Sequence, residues 1–356
     1  SAMDNTLFPY NLWRKCVNNV LYHLETRSAM DYPSRIGELR LRKEIAAYLK
    51  RARDVNCSPE QIVITGGQQY SMVIIADMFR DNKKFTMEDP GYDGIRHIFA
   101  NHEFKITGAP VDENGIILDT LENLDTKLLY LTPSHHFPTG GVIPVGNRYK
   151  LIDWAERNDA YIIEDDYDSE LRYYTNPVPS LQSLDTRDRV IYTGCFSKSL
   201  APSMRIAYIV LPPSLMERYN AYYHRYHSQV DVIHQLTLAE FMASGHYDRH
   251  INKLRTNFKR KQEIIIDSLH RTFGSRVSIR GEGAGIYLII RIDGPFNQEE
   301  LVARAKAAGI LVYPTRACYM NVADCPENEL LMGFATLDPE SIDQILATLK
   351  EVWEIK

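Results

Sequence analysis

The chain has 356 residues, 44% of them hydrophobic, enough for a full core and long enough for two domains. No run approaches the apolar length of a membrane span and no secretory leader is visible, which predicts a soluble, cytoplasmic protein. A formal net charge of −5 argues against gripping nucleic acid through a basic face, and five scattered cysteines, never in C-x-x-C, exclude a disulfide framework and argue against structural zinc.

Ser1-Ala2-Met3 resembles a cloning remnant and is set aside. Residues 7–24 place Phe8, Leu12, Trp13, Val17, Val20, Leu21 and Leu24 mostly at helical spacing, behind Pro9, which predicts an amphipathic helix. A loop follows at 31–34, then a helix with a basic outer face over 37–52. From residue 61 the texture changes to short apolar runs alternating with helical stretches. The runs fall at 61–65, 85–89, 104–111, 127–132, 161–165 and 190–193, with helices after Gly66-Gly67-Gln68-Gln69 and after Pro90-Gly91-Tyr92. This pattern predicts an α/β architecture, a mostly parallel central sheet with helices on both faces. Ligands of such sheets sit where the carboxyl ends of the strands gather their loops. Each glycine-rich or polar cluster of this chain falls at one of those ends. Beyond residue 211 the expectation is a tyrosine- and histidine-rich helical stretch over 219–228, then a long helix from 245 to about 273. A strand-like 277–292 follows, broken by Gly281, Gly283 and Gly285. A helix at 301–308, strands at 310–313 and 330–335 and a helix at 339–353 complete a smaller α+β domain. The expected division is 4–55 for N-terminal helices, 56–245 for the large domain and 246–356 for the small one.

One stretch organises the chemistry: VIYTGCFSKSLAPSMRIAY, residues 190–208. A buried strand ends in Thr193-Gly194, Lys198 stands between Ser197 and Ser199, and after Arg205 a second strand is expected over 206–211. A lysine among small hydroxyl residues between two buried strands is placed to hold an aldehyde through its amine. The aldehyde common in biology is pyridoxal 5'-phosphate, and its needs can be matched to residues. The ring nitrogen requires an anion to stay protonated, which Asp165 offers at the end of an apolar run, with Asp166 and Asp168 competing on composition alone. The phosphate requires N–H groups at a helix start, hydroxyls and an arginine. Gly66-Gly67-Gln68, Ser197 and Arg205 supply them. Tyr92 is placed to stack on the ring, and Tyr167 to bond its hydroxyl. Singly, each feature has a plain structural explanation; together, in order and at strand ends, they favour the cofactor.

The segments TGGQQ, EDPGY, TPSHHFPTGG, IIEDDYDSELRY and TGCFSKSLAPSMRIAY resemble the fold-type-I pyridoxal-phosphate proteins of the aminotransferase class I/II group. Within that group the chain is most similar to the aminotransferase-like domain of MocR/GabR-type transcription regulators of the GntR family, over nearly its whole length. The resemblance implies Lys198 as the Schiff-base lysine, Asp165 as the partner of the ring nitrogen, Tyr167 on the ring hydroxyl and Tyr92 stacked on the ring. It implies Ser197, Arg205 and the Gly67-Gln68 backbone on the phosphate. It also implies a homodimer with sites at the interface, where Tyr32 reaches the partner's phosphate.

Departures from the pattern shape the functional expectation. Phe137 stands where classical aminotransferases carry the asparagine of N-P-x-G, and Cys195 replaces the usual hydroxyl three residues before the lysine. Leu331 occupies the place of an arginine that in many relatives grips the substrate carboxylate in a bidentate fork; Arg316 is the nearest alternative. The start at Asn5-Thr6-Leu7-Phe8-Pro9 resembles regulator domains after their linker, which implies a winged helix-turn-helix upstream and DNA contact only through it. The leading expectation is an effector sensor in which an amine, amino acid or dipeptide forms an external aldimine with the cofactor and switches DNA binding, without sustained turnover. The alternative is an active class I/II aminotransferase, and a weaker third is a sensor of the cofactor itself.

Overall fold

Eight strands build the larger sheet. In chain order they are β1 (Ile62–Thr65), β2 (Lys84–Asp89), β3 (Lys105–Asp112), β4 (Gly115–Ile116), β5 (Leu128–Leu131), β6 (Tyr161–Asp166), β7 (Val190–Cys195) and β8 (Ala207–Val210). Across the sheet they run β1-β8-β7-β6-β5-β2-β3-β4. The strands β7, β6, β5, β2 and β3 are parallel, whereas β8 runs against both β7 and β1, and β4 against β3. Strands β1, β5, β7 and β8 are buried along their whole length. That explains why they read as unbroken apolar runs rather than alternating ones. This computed structural model describes residues 4–24, 32–174 and 178–356; residues 1–3 and Asp31 of the expected loop lie outside them.

The helices in chain order are α1 (Tyr10–Leu24), α2 (Leu39–Arg53), α3 (Gln68–Met78), α4 (Asp93–Asn101), α5 (Val145–Arg157), α6 (Leu181–Leu184), α7 (Pro213–Tyr223), α8 (Val232–Ala243) and α9 (His246–Phe273). On one face of the sheet Val63, Ile163, Ile191 and Ile209 pack with Ile75 of α3, Phe99 of α4 and Tyr219 of α7. On the other, Leu129, Leu131 and Ile162 pack with Leu151 of α5 and Leu181 of α6. A second, antiparallel sheet holds β9 (Val277–Arg280), β10 (Tyr287–Ile292), β11 (Tyr313–Pro314) and β12 (Glu329–Gly333) in the order β11-β12-β10-β9. It is covered by α9, α10 (Gln298–Ala307) and α11 (Ile342–Val352). One hydrophobic core joins Leu41 and Leu49 of α2, Phe241 of α8, Leu254 of α9, Leu288 of β10 and Trp353. The N-terminal helices therefore share a core with the C-terminal sheet.

Local expectations fail in instructive places. The stretch expected as helix over 219–228 stops at Tyr223, where the buried series Leu215, Tyr219, Tyr223 runs out. The second helix begins at Leu39 rather than at Gly37. The strand expected at 310–313 shrinks to a two-residue pairing, Tyr313–Pro314. Among the described residues no helix is long and apolar enough to cross a membrane.

Candidate functional site

Register brings the separated segments together. Ala207, which opens β8, stands opposite Thr65 on one side and Cys195 on the other, and Gly194 stands opposite Asp166. The turns after β1, β2, β5, β6 and β7 therefore converge at the carboxyl edge of the sheet.

Lys198 lies three residues beyond β7 and is half-buried. Burial pushes its ammonium below the usual lysine range, with the charges of Asp168 and Cys195 acting the other way. Downstream, Arg205 adopts the left-handed conformation (φ 50°) and lays its guanidinium against Gly67. Gly67 caps α3 with φ +98°, and a Cβ there would run into that guanidinium. Only glycine combines this backbone with so close an approach. The N–H groups of Gln68 and Gln69, which open α3, and the arginine form a concavity suited to an anion.

The three competing acids separate cleanly. Successive residues of a strand face opposite sides. Asp165 shares the α3 side with Ile163 and is 4% exposed. Its Oδ2 accepts from the Tyr130 hydroxyl at 2.5 Å and its Oδ1 from Gln68 Nε2 at 2.6 Å. Both donors are neutral; burial pushes the carboxyl up to about 7, against the pull of these two bonds. Asp166 faces the other way. Its Oδ2 takes Arg53 Nε of α2 at 2.6 Å and the Tyr192 hydroxyl at 2.5 Å. Burial raises the Asp166 carboxyl, but the Arg53 charge and the Tyr192 bond more than offset it, and its pKa lies below the ordinary value. Asp168, 2% exposed, is occupied with His135.

The remaining sequence candidates fall at varied distances from this edge. Tyr92, at the start of α4, packs edge-on against Phe137 with ring centroids 5.7 Å apart. Burial raises its hydroxyl, Asp93 and Asp165 add to the rise, and Arg205 opposes it, so Tyr92 lies within the field of both site charges. Tyr167 hydrogen-bonds the Tyr287 hydroxyl of β10 at 3.1 Å. Ser197, half-buried, adjoins Lys198, while burial pushes the neighbouring Cys195 thiol up to about 11. Tyr32 is 81% exposed and stacks on His227. Arg316 makes a half-exposed ion pair with Glu299. Leu331 sits in β12 between Ile289 and Tyr313. A cavity of about 930 Å³ lined by Pro90, Glu113, Arg280 and Tyr319 contains none of the cofactor candidates.

Tyr130, Thr193, the Gln68 side chain, His135 and Tyr287 all serve this region and escaped the sequence. Gln68 Nε2 also donates to Thr193 Oγ1 at 2.8 Å, so one amide ties three strands' ends together. Only the His135-His136 pair in the turn after β5 hinted at any of them.

A mixed sheet of this order, with a lysine in the turn beyond β7 and a buried acid at the end of the neighbouring β6, defines the class: a fold-type-I aminotransferase fold. The chain belongs to the aminotransferase class I and II family, whose description matches residues 4–349. It is 38% identical to the uncharacterized HTH-type transcriptional regulator YdeL of Bacillus subtilis (strain 168), covering 99% of this chain and 76% of that protein. It is 30% identical to the probable rhizopine catabolism regulatory protein MocR of Rhizobium meliloti, over 97% and 70% of the two chains. Among solved structures it resembles an archaeal alanine:glyoxylate aminotransferase at TM-score 0.90 and 23% identity, covering 100% of this chain and 89% of that one, a likeness of fold. Membership of the family implies pyridoxal 5'-phosphate as cofactor.

Proposed function

We propose that the chain is the effector-sensing part of a MocR/GabR-type transcription regulator, a cytoplasmic homodimer whose DNA is read by a winged helix-turn-helix outside residues 1–356. Pyridoxal 5'-phosphate, when bound, supplies an aldehyde carbon that amines join reversibly and a ring that draws electrons from that bond. The residues fit such a group. Asp165, buried on two neutral donors, gains most from a cation placed against it, as a protonated ring nitrogen would be. The Gly67–Arg205 concavity suits the phosphate, with Ser197 and the Gln68 N–H as further donors. Lys198, its ammonium pushed down by burial, presents the amine that holds the aldehyde carbon. Tyr92 supplies an aromatic face and Tyr167 a hydroxyl donor, and Tyr32 reaches the neighbouring subunit's phosphate.

The observation that carries the sensor role is this cofactor set beside Leu331, an aliphatic side chain where substrate carboxylate binding calls for a cation. Similarity to helix-turn-helix regulators supports the same role. An amine, amino acid or dipeptide that displaces Lys198 would bias how residues 246–356 sit on 56–245. The bonds across that seam include Gly91 N–H to the Cys318 carbonyl, 2.9 Å, Met320 N–H to Asp89 Oδ1, 2.9 Å, and Tyr173 N–H to the Gly283 carbonyl, 2.8 Å. An effector switches such an equilibrium only through different affinity for the two arrangements.

The test is an absorbance titration of the cofactor-loaded protein with D- and L-amino acids and dipeptides, alongside an assay for keto acid. A sensor shifts its spectrum without sustained keto acid release. Rapid multiple turnover would select an aminotransferase instead.

A further inference from the structure

His135 Nδ1 lies 2.8 Å from Asp168 Oδ2, and both side chains are 2% exposed. The same nitrogen is 3.2 Å from the Tyr167 hydroxyl, which in turn is 3.1 Å from the Tyr287 hydroxyl. The His135 ring is layered near both tyrosines, with centroids 5.9 Å from Tyr167 and 5.5 Å from Tyr287. Gly285, at φ +70°, leaves the room: a Cβ there would stand 2.5 Å from His135 Cε1 and 3.0 Å from Asp168 Oδ2. The backbone is bare where the pair needs space.

The protons can be counted. An ionised carboxylate only accepts, so the 2.8 Å contact needs a hydrogen on His135 Nδ1. That agrees with His135 Nε2, which is buried with no partner among the described residues. A buried lone pair left idle costs less than a buried N–H left idle. With Nδ1 protonated, the Tyr167 hydroxyl cannot donate to it. If Tyr287 donates to the Tyr167 oxygen, the Tyr167 proton is left to point elsewhere. Phe137, packed 5.6 Å from Tyr287, brings no donor of its own.

We propose that His135, Asp168 and Tyr287 are positioning residues that turn the Tyr167 hydroxyl proton into the cleft, toward the ring oxygen of the group on Lys198. This deepens the cofactor assignment above and rests on it. The titratable and charged groups facing the set are Asp165 from β6, Glu170, Arg172 and Tyr173 from the turn after β6, Lys198 beyond β7, His136 beside His135, and Cys318 behind Tyr287.

The experiment follows the visible absorbance of cofactor-loaded protein against pH. A proton given to the ring oxygen favours its anion, which makes the adjoining nitrogen easier to deprotonate. His135→Phe therefore raises the pH midpoint of the colour change by about one unit, in the same direction as Tyr167→Phe. The double variant moves no further than Tyr167→Phe alone, and Asp168→Asn shifts less than His135→Phe, because it also removes a charge that favours the protonated nitrogen on Lys198. An unmoved midpoint in His135→Phe while Tyr167→Phe shifts, or fully additive shifts, overturns the proposal. A second arm needs neither variant nor cofactor: nitrogen-15 spectra of the wild-type imidazole should show Nδ1–H, and an Nε2–H tautomer overturns it. Failure of the cofactor assignment itself would show separately, as wild-type protein that stays colourless with pyridoxal phosphate.

Discussion

Asp165 and Asp166 are neighbours at the end of one strand, both at most 5% exposed, yet they answer to opposite demands. Asp166 meets a guanidinium from α2 and is a complete ion pair as the chain folds. Asp165 meets a phenol and an amide, which satisfy its lone pairs without neutralising its charge. The first arrangement holds the N-terminal helices to the sheet. The second keeps an uncompensated acid ready for a cation that the chain itself does not bring. A buried acid's partners, rather than its burial, separate an architectural residue from a functional one.

The contrast breaks most severely on the Asp166 side. Arg53→Met strands a buried carboxylate and should cost about 3–5 kcal/mol of unfolding free energy, measured in denaturant without cofactor. A loss under about 1 kcal/mol would mean that the pair is not architectural. Next in size, Asp165→Asn should leave cofactor-free stability almost untouched near pH 4, where the folded carboxyl is protonated, but lower cofactor affinity about 10- to 100-fold, or about 1.4–2.8 kcal/mol. Equal losses of affinity in Asp165→Asn and Asp168→Asn would show the wrong acid assigned.

The two acids also differ in the sign of their pH dependence. Asp165, raised to about 7 by burial, binds a proton in the folded chain that the unfolded chain has already released. Its stabilisation is complete below the ordinary carboxyl range and is lost as pH rises toward about 7, by at most about 1.4 kcal/mol per pH unit. Asp166, held below its ordinary value, stabilises above that range and loses its share as pH falls through its folded pKa. Urea melts of the cofactor-free protein between about pH 4 and 7 should thus lose one proton's slope in Asp165→Asn. Glu88 and Glu170, also raised to about 7 by burial, keep part of that slope. The smallest effect belongs to Arg316→Ala. Its ion pair with Glu299 is half-exposed, so stability should change by under about 1 kcal/mol and the cofactor band not at all. Loss of the spectral response to amino acids in that variant would instead make Arg316 an effector contact.

Much of this comparison was visible in the chain, and the missing part has a physical cause. Buried parallel strands announce themselves as short apolar runs, and their ends carry turn glycines. Lys198, Asp165, Gly67 and Arg205 could therefore be placed on one edge from sequence alone. The reversed direction of β8 left no trace, because a strand buried on both faces reads alike in either direction. Which acid faces the cleft was equally hidden, since a one-residue shift exchanges the two sides of a strand. Tyr130 and Gln68 meet Asp165 across 35 and 97 residues, a product of register between strands rather than of local spacing. Helix α5 was missed as well, although Pro144 opens it and Leu151, Ile152 and Ala155 line its buried side.

The most direct test of the central claim is borohydride reduction of the protein after incubation with pyridoxal phosphate, followed by peptide mapping. The site described here predicts a single reduced adduct on Lys198 and none in Lys198→Ala. An adduct on another lysine, or an unlabelled wild-type protein, would contradict it.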